Sequence, residues 1–137
     1  MKNFDFIIDE QKAKTMQPLV LAMIGDSVQT LFVRKYIAEE FAVKVNKMNK
    51  MVSSVVKAGS QFKTFKKIEE QLTEDEKDIA RRARNTNIHS KAKNFSYAEY
   101  IYATALEAVI GYLYLTGNSE RLNLILNLSL EELDVTV

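Results

Sequence analysis

The sequence predicts an all-α fold, and three observations carry that prediction. Its 137 residues include one proline and four glycines, which leaves little turn chemistry for strands and hairpins. Apolar residues recur at intervals of three and four along most of the chain. Two capping boxes, "TEDE" from Thr73 and "SYAE" from Ser96, mark helix starts. The length suits a single domain with a real core, taken as residues 1–137 with the core over about 18–128.

The first helix is expected from Pro18 to about Ile37. Proline fits a first turn, and Leu19, Met23, Val28, Leu31 and Phe32 recur at helical spacing. A second helical region covers Lys44 to Gln71, with Met48, Met51, Val52, Val55 and Val56 as its buried stripe and Gly59 as the point where it would break. Thr73 then caps a third helix, Glu76 reaches back to it, and the arginines fall at the C-terminal end near Arg84, where the dipole favours cations. "NTNIHSKAKNF" reads as a loop. Ser96 is expected to cap a long helix that stops before Gly117, a natural residue for the left-handed position after a helix. Asn118 caps a last helix through about Asn127, and the acidic tail after Ser129 is expected to fray.

Composition excludes several classes of function. Cysteine is absent, which rules out disulfides and thiolate metal sites. His89 is the only histidine, so any metal must be held by oxygen, which points to hard cations such as Mg²⁺ or Mn²⁺. The most apolar window, Tyr100 to Leu115, is too short for a membrane span and contains Glu107, so the default is a soluble cytoplasmic protein with no membrane partner.

Net charge is only +1, but its distribution is uneven. Lys44 to Lys93 carry ten lysines and three arginines against six carboxylates, and "ARRARNTNIHSKAK" has no acid at all. Such a cluster is an electrostatic footprint for a polyanion. For a charge run alone, a merely solvated face is the commoner reading.

Two otherwise apolar stretches, "LAMIGDSV" and "TALEAVIGYLYL", each keep a single acid, Asp26 and Glu107. Helical spacing puts Asp26 on a face with Ala22, Met23, Gln29 and Thr30, and Glu107 with Ala103, Thr104 and Gly111. Gly25 and Gly111 lie inside these helices, where glycine costs about 1 kcal/mol relative to alanine. Close approach of a second backbone offsets that cost. Two inward helices packed through small residues would bring the carboxylates together, and a divalent ion between them would stabilise both ionised forms and activate a water. The alternative is that each acid has a structural partner, Arg34 or a tyrosine hydroxyl, and helix pattern alone favours that alternative.

Taken together, "LVLAMIGDSVQTLFVRKYI", "RRARN" and "YATALEAVIGYLYL" resemble the ribonuclease III catalytic domain, and the small bacterial Mini-ribonuclease III form most closely, over about Leu19 to Leu128. The resemblance implies an all-helical endonuclease domain, an obligate homodimer with a catalytic groove along its interface, and Mg²⁺-dependent cleavage of double-stranded RNA that leaves short 3′ overhangs. It further implies maturation of large-subunit ribosomal RNA precursor, with Mn²⁺ a possible substitute ion. Asp26 matches the aspartate of the "GD" signature and Glu107 the glutamate of the "EA[LV]IG" segment; both would be catalytic metal ligands, Asp26 the more essential. The larger enzymes have further acids where this chain has Leu19, Ala22 and Thr104, which leaves the number of ions open; with two carboxylates, one firmly held Mg²⁺ is expected, and a second bound only with substrate is the alternative.

Double-stranded RNA is read through phosphates, 2′-hydroxyls and shape. The candidate RNA-binding residues are Arg81, Arg82, Arg84, Asn85, His89, Lys91 and Lys93, with at least one of the arginines expected to be structural. His89 sits in a basic loop and is assigned to phosphate contact rather than proton transfer. Lys63, Lys66 and Lys67 form a second, weaker cluster. Tyr97, Tyr100, Tyr102, Tyr112 and Tyr114 are read as core and dimer-interface residues rather than base-stacking platforms. The rival functions are a non-catalytic RNA-binding module of the same fold and a helical interaction adaptor. Possession of both Asp26 and Glu107 argues against the first, and the second predicts no divalent-metal binding.

Overall fold

A computed structural model describes residues 1–86 and 95–137, and the described residues fold as seven α-helices with no strand. In order these are α1 (Glu10–Lys14), α2 (Pro18–Glu40), α3 (Val45–Val56), α4 (Ala58–Ile68), α5 (Glu74–Arg84), α6 (Phe95–Leu115) and α7 (Ser119–Ser129). Short 3₁₀ turns follow α4 and α7. The all-α expectation is met.

The organising element is α6. In its middle Ala103, Ala105, Leu106, Ala108, Val109 and Ile110 are all buried, with Thr104 and Glu107 the two polar residues among them. A helix this apolar on most of its circumference has to be wrapped by others. Here α2 makes the most extensive contact, while α4 and α5 cover further sides. A smaller second core joins Val33 and Ile37 of α2 to Met51, Val52 and Val55 of α3, closed by Leu130 and Leu133.

Capping chemistry sets most of the boundaries. Pro18 opens α2, its fixed φ already helical. Thr73 and Glu76 form both halves of the expected capping box, each bond 3.2 Å. The Glu76 carboxylate is buried and also takes Arg121 of α7 through Nε at 2.9 Å, so one residue starts α5 and ties it to α7. After α6, Gly117 (φ 75°) donates to Tyr114 O and Asn118 to Leu113 O, the paired bonds of a Schellman stop. Asn118 then caps α7 by accepting from Arg121 N.

Three expectations need correction, and one helix was not expected at all. The second helical region breaks at Lys57, whose extended backbone (ψ 157°) ends α3 and caps α4, and not at Gly59, which lies inside α4. α6 is described from Phe95, which puts Ser96 inside the helix rather than at its N-cap position. Helix α1 had no apolar repeat to announce it; Asp9 starts it by accepting from Gln11 N and Lys12 N. The tail does not fray. Lys67 holds Glu131 at 2.9 Å and Glu132 at 3.1 Å, Asp134 N donates to Ser54 Oγ, and Leu130 and Leu133 close the second core.

Candidate active site

The site starts from a helix crossing that only glycine permits. A Cβ on Gly25 would stand 1.7 Å from the carbonyl oxygen of Glu107, and one on Gly111 would stand 2.0 Å from that of Leu21. No real side chain survives such distances, so the two backbones touch directly. The residue after Gly25 is Asp26, and the carbonyl against Gly25 belongs to Glu107 itself. The crossing therefore fixes the two acids relative to one another.

Their environments differ from what the sequence led us to expect. Glu107 is half-buried, but Asp26 is exposed. The inward face of α2 consists of Leu21, Ala22, Gly25, Gln29, Val33 and Ile37, and Asp26 sits one step round from it. Among the described residues nothing covers that edge. Burial pushes the Glu107 carboxyl up to about 7, a hydrogen bond from Gln61 opposes the rise, and the charge of Asp26 and a hydrogen bond with it reinforce it. A carboxyl held up by burial and by a neighbouring acid is one whose ionised form a cation would favour. Among the described residues neither acid is in an ion pair with Arg34 or any other base, and none of the tyrosine hydrogen bonds reaches them. The partners the sequence suggested, Arg34 and a tyrosine hydroxyl, are therefore not the ones used; Glu107 instead accepts from Gln61.

Gln61 is the residue sequence reading missed. Its Nε2 donates to Glu107 Oε2 at 3.3 Å and to Gln29 Oε1 at 2.8 Å. Gln29 and Gln61 are both buried. The available signal was a glutamine on the apolar stripe of α4 with Thr64, Phe65 and Ile68, where an aliphatic residue is the ordinary choice.

As a donor set, two carboxylates suit a hard cation that keeps several waters, as magnesium does. Among the described residues no group of three or more potential metal ligands occurs, so any ion here rests on this pair and on solvent or substrate oxygens.

The comparisons with known proteins give the family. The ribonuclease III domain family matches residues 19–118, which spans α2 through the end of α6 and contains both acids. The chain belongs to the ribonuclease III family. It is 40% identical over 128 residues to a protein of Thermoanaerobacter sp. (strain X514) named Mini-ribonuclease 3, covering 93% of this chain and 90% of that one. A Mini-ribonuclease 3 of Staphylococcus aureus is 43% identical, covering 83% and 87%. A crystal structure of a protein from Fusobacterium nucleatum superposes with a TM-score of 0.77 at 36% identity, covering 85% of this chain and 93% of its own.

In this ribonuclease III domain the candidate basic residues have unequal freedom. Arg82 donates to the carbonyls of Lys14 at 2.8 Å and Met16 at 3.1 Å, so its guanidinium staples α5 to the end of α1 and the residues just after it. Arg81 is paired with Asp78 at the surface. Arg84 lies 5.4 Å from the ring centre of Tyr102, and Lys66 lies 4.1 Å from the same ring. Asn85 ends α5 and is exposed. His89, Lys91 and Lys93 lie outside the described residues. Of the tyrosines, Tyr112 is buried and Tyr102 and Tyr114 are half-buried, whereas Tyr97 and Tyr100 are exposed on the first turns of α6.

Proposed function

We propose that this chain is a divalent-metal-dependent endoribonuclease that cleaves double-stranded RNA as a homodimer, acting in the cytoplasm on large-subunit ribosomal RNA precursor. The observation that carries the reading is the Gly25–Gly111 crossing, which sets Asp26 beside Glu107 in a ribonuclease III domain. Asp26 and Glu107 would hold Mg²⁺, with Mn²⁺ as a substitute. When bound, the ion supplies charge neutralisation at the phosphate and a more acidic water.

The remaining work falls to the chain's own side chains. Glu107 must be ionised to act as a ligand, and the hydrogen bond from Gln61 favours that form. Arg84, Arg81 and Asn85, with His89, Lys91 and Lys93, would contact the phosphates and 2′-hydroxyls of the duplex; Arg82 is committed to the fold. No described side chain is placed as a dedicated general base. The homodimer reading is supported by the uncovered face of α2, where Leu19, Met23 and Leu31 are exposed, Met23 by 74%. Apolar side chains gathered on one helix face are what a partner surface covers.

The test is cleavage of an end-labelled RNA duplex with and without Mg²⁺, the products sized on a denaturing gel. Cleavage that needs the ion and spares single-stranded RNA is expected. Asp26→Asn should lower the rate by about 1000-fold or more, the order of several kcal/mol that a metal ion contributes to a phosphoryl transition state, with the fold intact because Asp26 is exposed. Undiminished cleavage by Asp26→Asn would remove the assignment. Binding of the duplex without cleavage would favour the non-catalytic module.

A further inference from the structure

We propose that Gln61 is a positioning residue for Glu107, held in register by Gln29, so that a buried pair of carboxamides fixes how the acid presents its oxygens. The inference rests on the reading of Asp26 and Glu107 as the ion-holding pair. It extends that reading to two residues that touch neither substrate nor ion.

The geometry assigns each atom a task. A carboxamide nitrogen carries two hydrogens, and Gln61 Nε2 has two acceptors, Gln29 Oε1 at 2.8 Å and Glu107 Oε2 at 3.3 Å. Gln29 Oε1 offers no hydrogen in return, and neither does Glu107 once ionised, the form an ion requires, so toward the ionised acid the amide has one workable orientation. Turned over, it would set an oxygen against a carboxylate. The bond to Gln29 therefore locks the face that Gln61 shows to Glu107. Three helices meet in this contact: Gln29 on α2, Gln61 on α4 and Glu107 on α6. Gln29 lies three residues after Asp26 on the same helix. The relay thus references Glu107 to the helix that carries its partner acid, by a route independent of the glycine crossing.

Stability alone does not account for the pair. Gln29 is fully buried and Gln61 is 3% exposed. Gln29 Nε2 is buried and has no hydrogen-bond partner among the described residues. An unpaired buried amide costs about 1–3 kcal/mol, which two aliphatic residues of similar volume would avoid. A polar network with such a cost in an apolar interface is explained when one of its members must be aimed. Here that member is Glu107.

The test separates aiming from packing. Gln61→Met keeps length and volume and removes the donor, and Gln29→Met removes the acceptor that orients it. Mn²⁺ binding to the metal-free protein, followed by calorimetry or by the spectrum of the free ion, should weaken about 10- to 100-fold in Gln61→Met, the range seen when a ligand loses its supporting hydrogen bond. Gln29→Met should weaken it less, and adding Gln29→Met to Gln61→Met should bring no further loss, because both act through one contact. Gln29→Glu, neutral when buried and still offering a carbonyl oxygen, should restore binding relative to Gln29→Met. In parallel, the side-chain amide resonances of Gln61 in metal-free protein should shift in both Glu107→Gln and Gln29→Met. Wild-type Mn²⁺ affinity in a folded Gln61→Met protein overturns the positioning role. Should Glu107→Gln leave Mn²⁺ binding unchanged in the parent protein, the ion-site reading fails; the amide resonances then decide the relay by themselves, and their indifference to Glu107→Gln and Gln29→Met overturns it.

Discussion

The inner and outer faces of α2 follow opposite rules. Inward, Leu21, Ala22, Gly25, Gln29, Val33 and Ile37 are all buried, and at Gly25 the packing is so tight that a methyl group has nowhere to go. Outward, Leu19, Met23, Ser27 and Leu31 are exposed although three of the four are apolar. Asp26 sits on the border between the two. One face is finished by the chain itself and defines geometry. The other keeps apolar surface that the described residues of a single copy do not cover. An acid placed on that border is aimed by the first face and enclosed only when something meets the second.

The largest expected effect tests the closed face. Gly25→Ala places a Cβ against the Glu107 backbone carbonyl, which no rotamer change can relieve, so the helices must separate. We expect a loss of about 3 kcal/mol or more in denaturant unfolding, at the upper end of overpacking penalties, and weakened Mn²⁺ binding in whatever still folds. Gly59→Ala is the contrast. Its Cβ would meet only the Glu99 carboxylate at 3.6 Å, an ordinary contact, so the alanine should be neutral or stabilise by about 0.5–1 kcal/mol. Similar losses at both positions would mean that the crossing is not what distinguishes Gly25.

The open face is tested by Met23→Asp. Met23 is 74% exposed, so a charge there should leave the unfolding midpoint of the isolated subunit within about 0.5 kcal/mol of the parent. If a second copy covers this face, the same change should convert a dimer to a monomer in light scattering at micromolar concentration. A parent protein that is monomeric throughout would leave the face needing a different occupant.

How much of this was legible in the sequence depends on how local the physics is. The Thr73–Glu76 box, the Gly117 stop and the Asn118 cap are contained in four or five consecutive residues, and each forms as read. The glycine crossing was legible too, because a glycine inside a helix calls for a reason and two of them beside two acids share one. What was not legible depends on contacts distant in sequence. Nothing near Asp26 says that its edge of α2 stays uncovered. Nothing near Ser129 says that Lys67, more than sixty residues earlier, will hold the tail. Gln61 could be noticed as a polar residue on an apolar stripe, but only the packing of α4 against α2 and α6 gives it partners. Arg82 reads like its neighbours until the end of α1 comes round to occupy it.

A smaller effect follows from the unequal burial of the two acids. The Glu107 carboxyl rises from an ordinary 4.5 to about 7 in the folded chain. Folding therefore favours the protonated form. Its contribution to stability is fully present below pH 4.5 and is lost as pH rises through about 7. Metal-free protein should lose on the order of 2 kcal/mol between about pH 5 and pH 8, a figure reduced for Glu107's partial exposure to solvent. Glu107→Gln should flatten that slope, and Mg²⁺ should restore stability at the alkaline end, because an ion favours the ionised pair. A slope that survives Glu107→Gln would place its origin elsewhere.

The smallest effect separates two arginines that the sequence presents as equivalent. Arg84 lies over the Tyr102 ring and makes no ion pair among the described residues, whereas Arg82 has both terminal nitrogens on main-chain carbonyls at the end of α1 and just after it. Neutralising a side chain that meets a phosphate releases one fewer counterion on binding. Arg84→Gln should therefore reduce the slope of log affinity against log salt by about 0.7–0.9 for duplex RNA, with little change in unfolding. Arg82→Gln should do the reverse, leaving the slope unchanged and lowering stability by about 1–3 kcal/mol, because two part-buried carbonyls lose a charged donor. Equal slopes for Arg84→Gln and the parent would take Arg84 off the RNA surface and leave phosphate contact to Arg81 and to residues beyond α5. A reduced slope in a fully stable Arg82→Gln protein would show that its carbonyl contacts give way when RNA arrives.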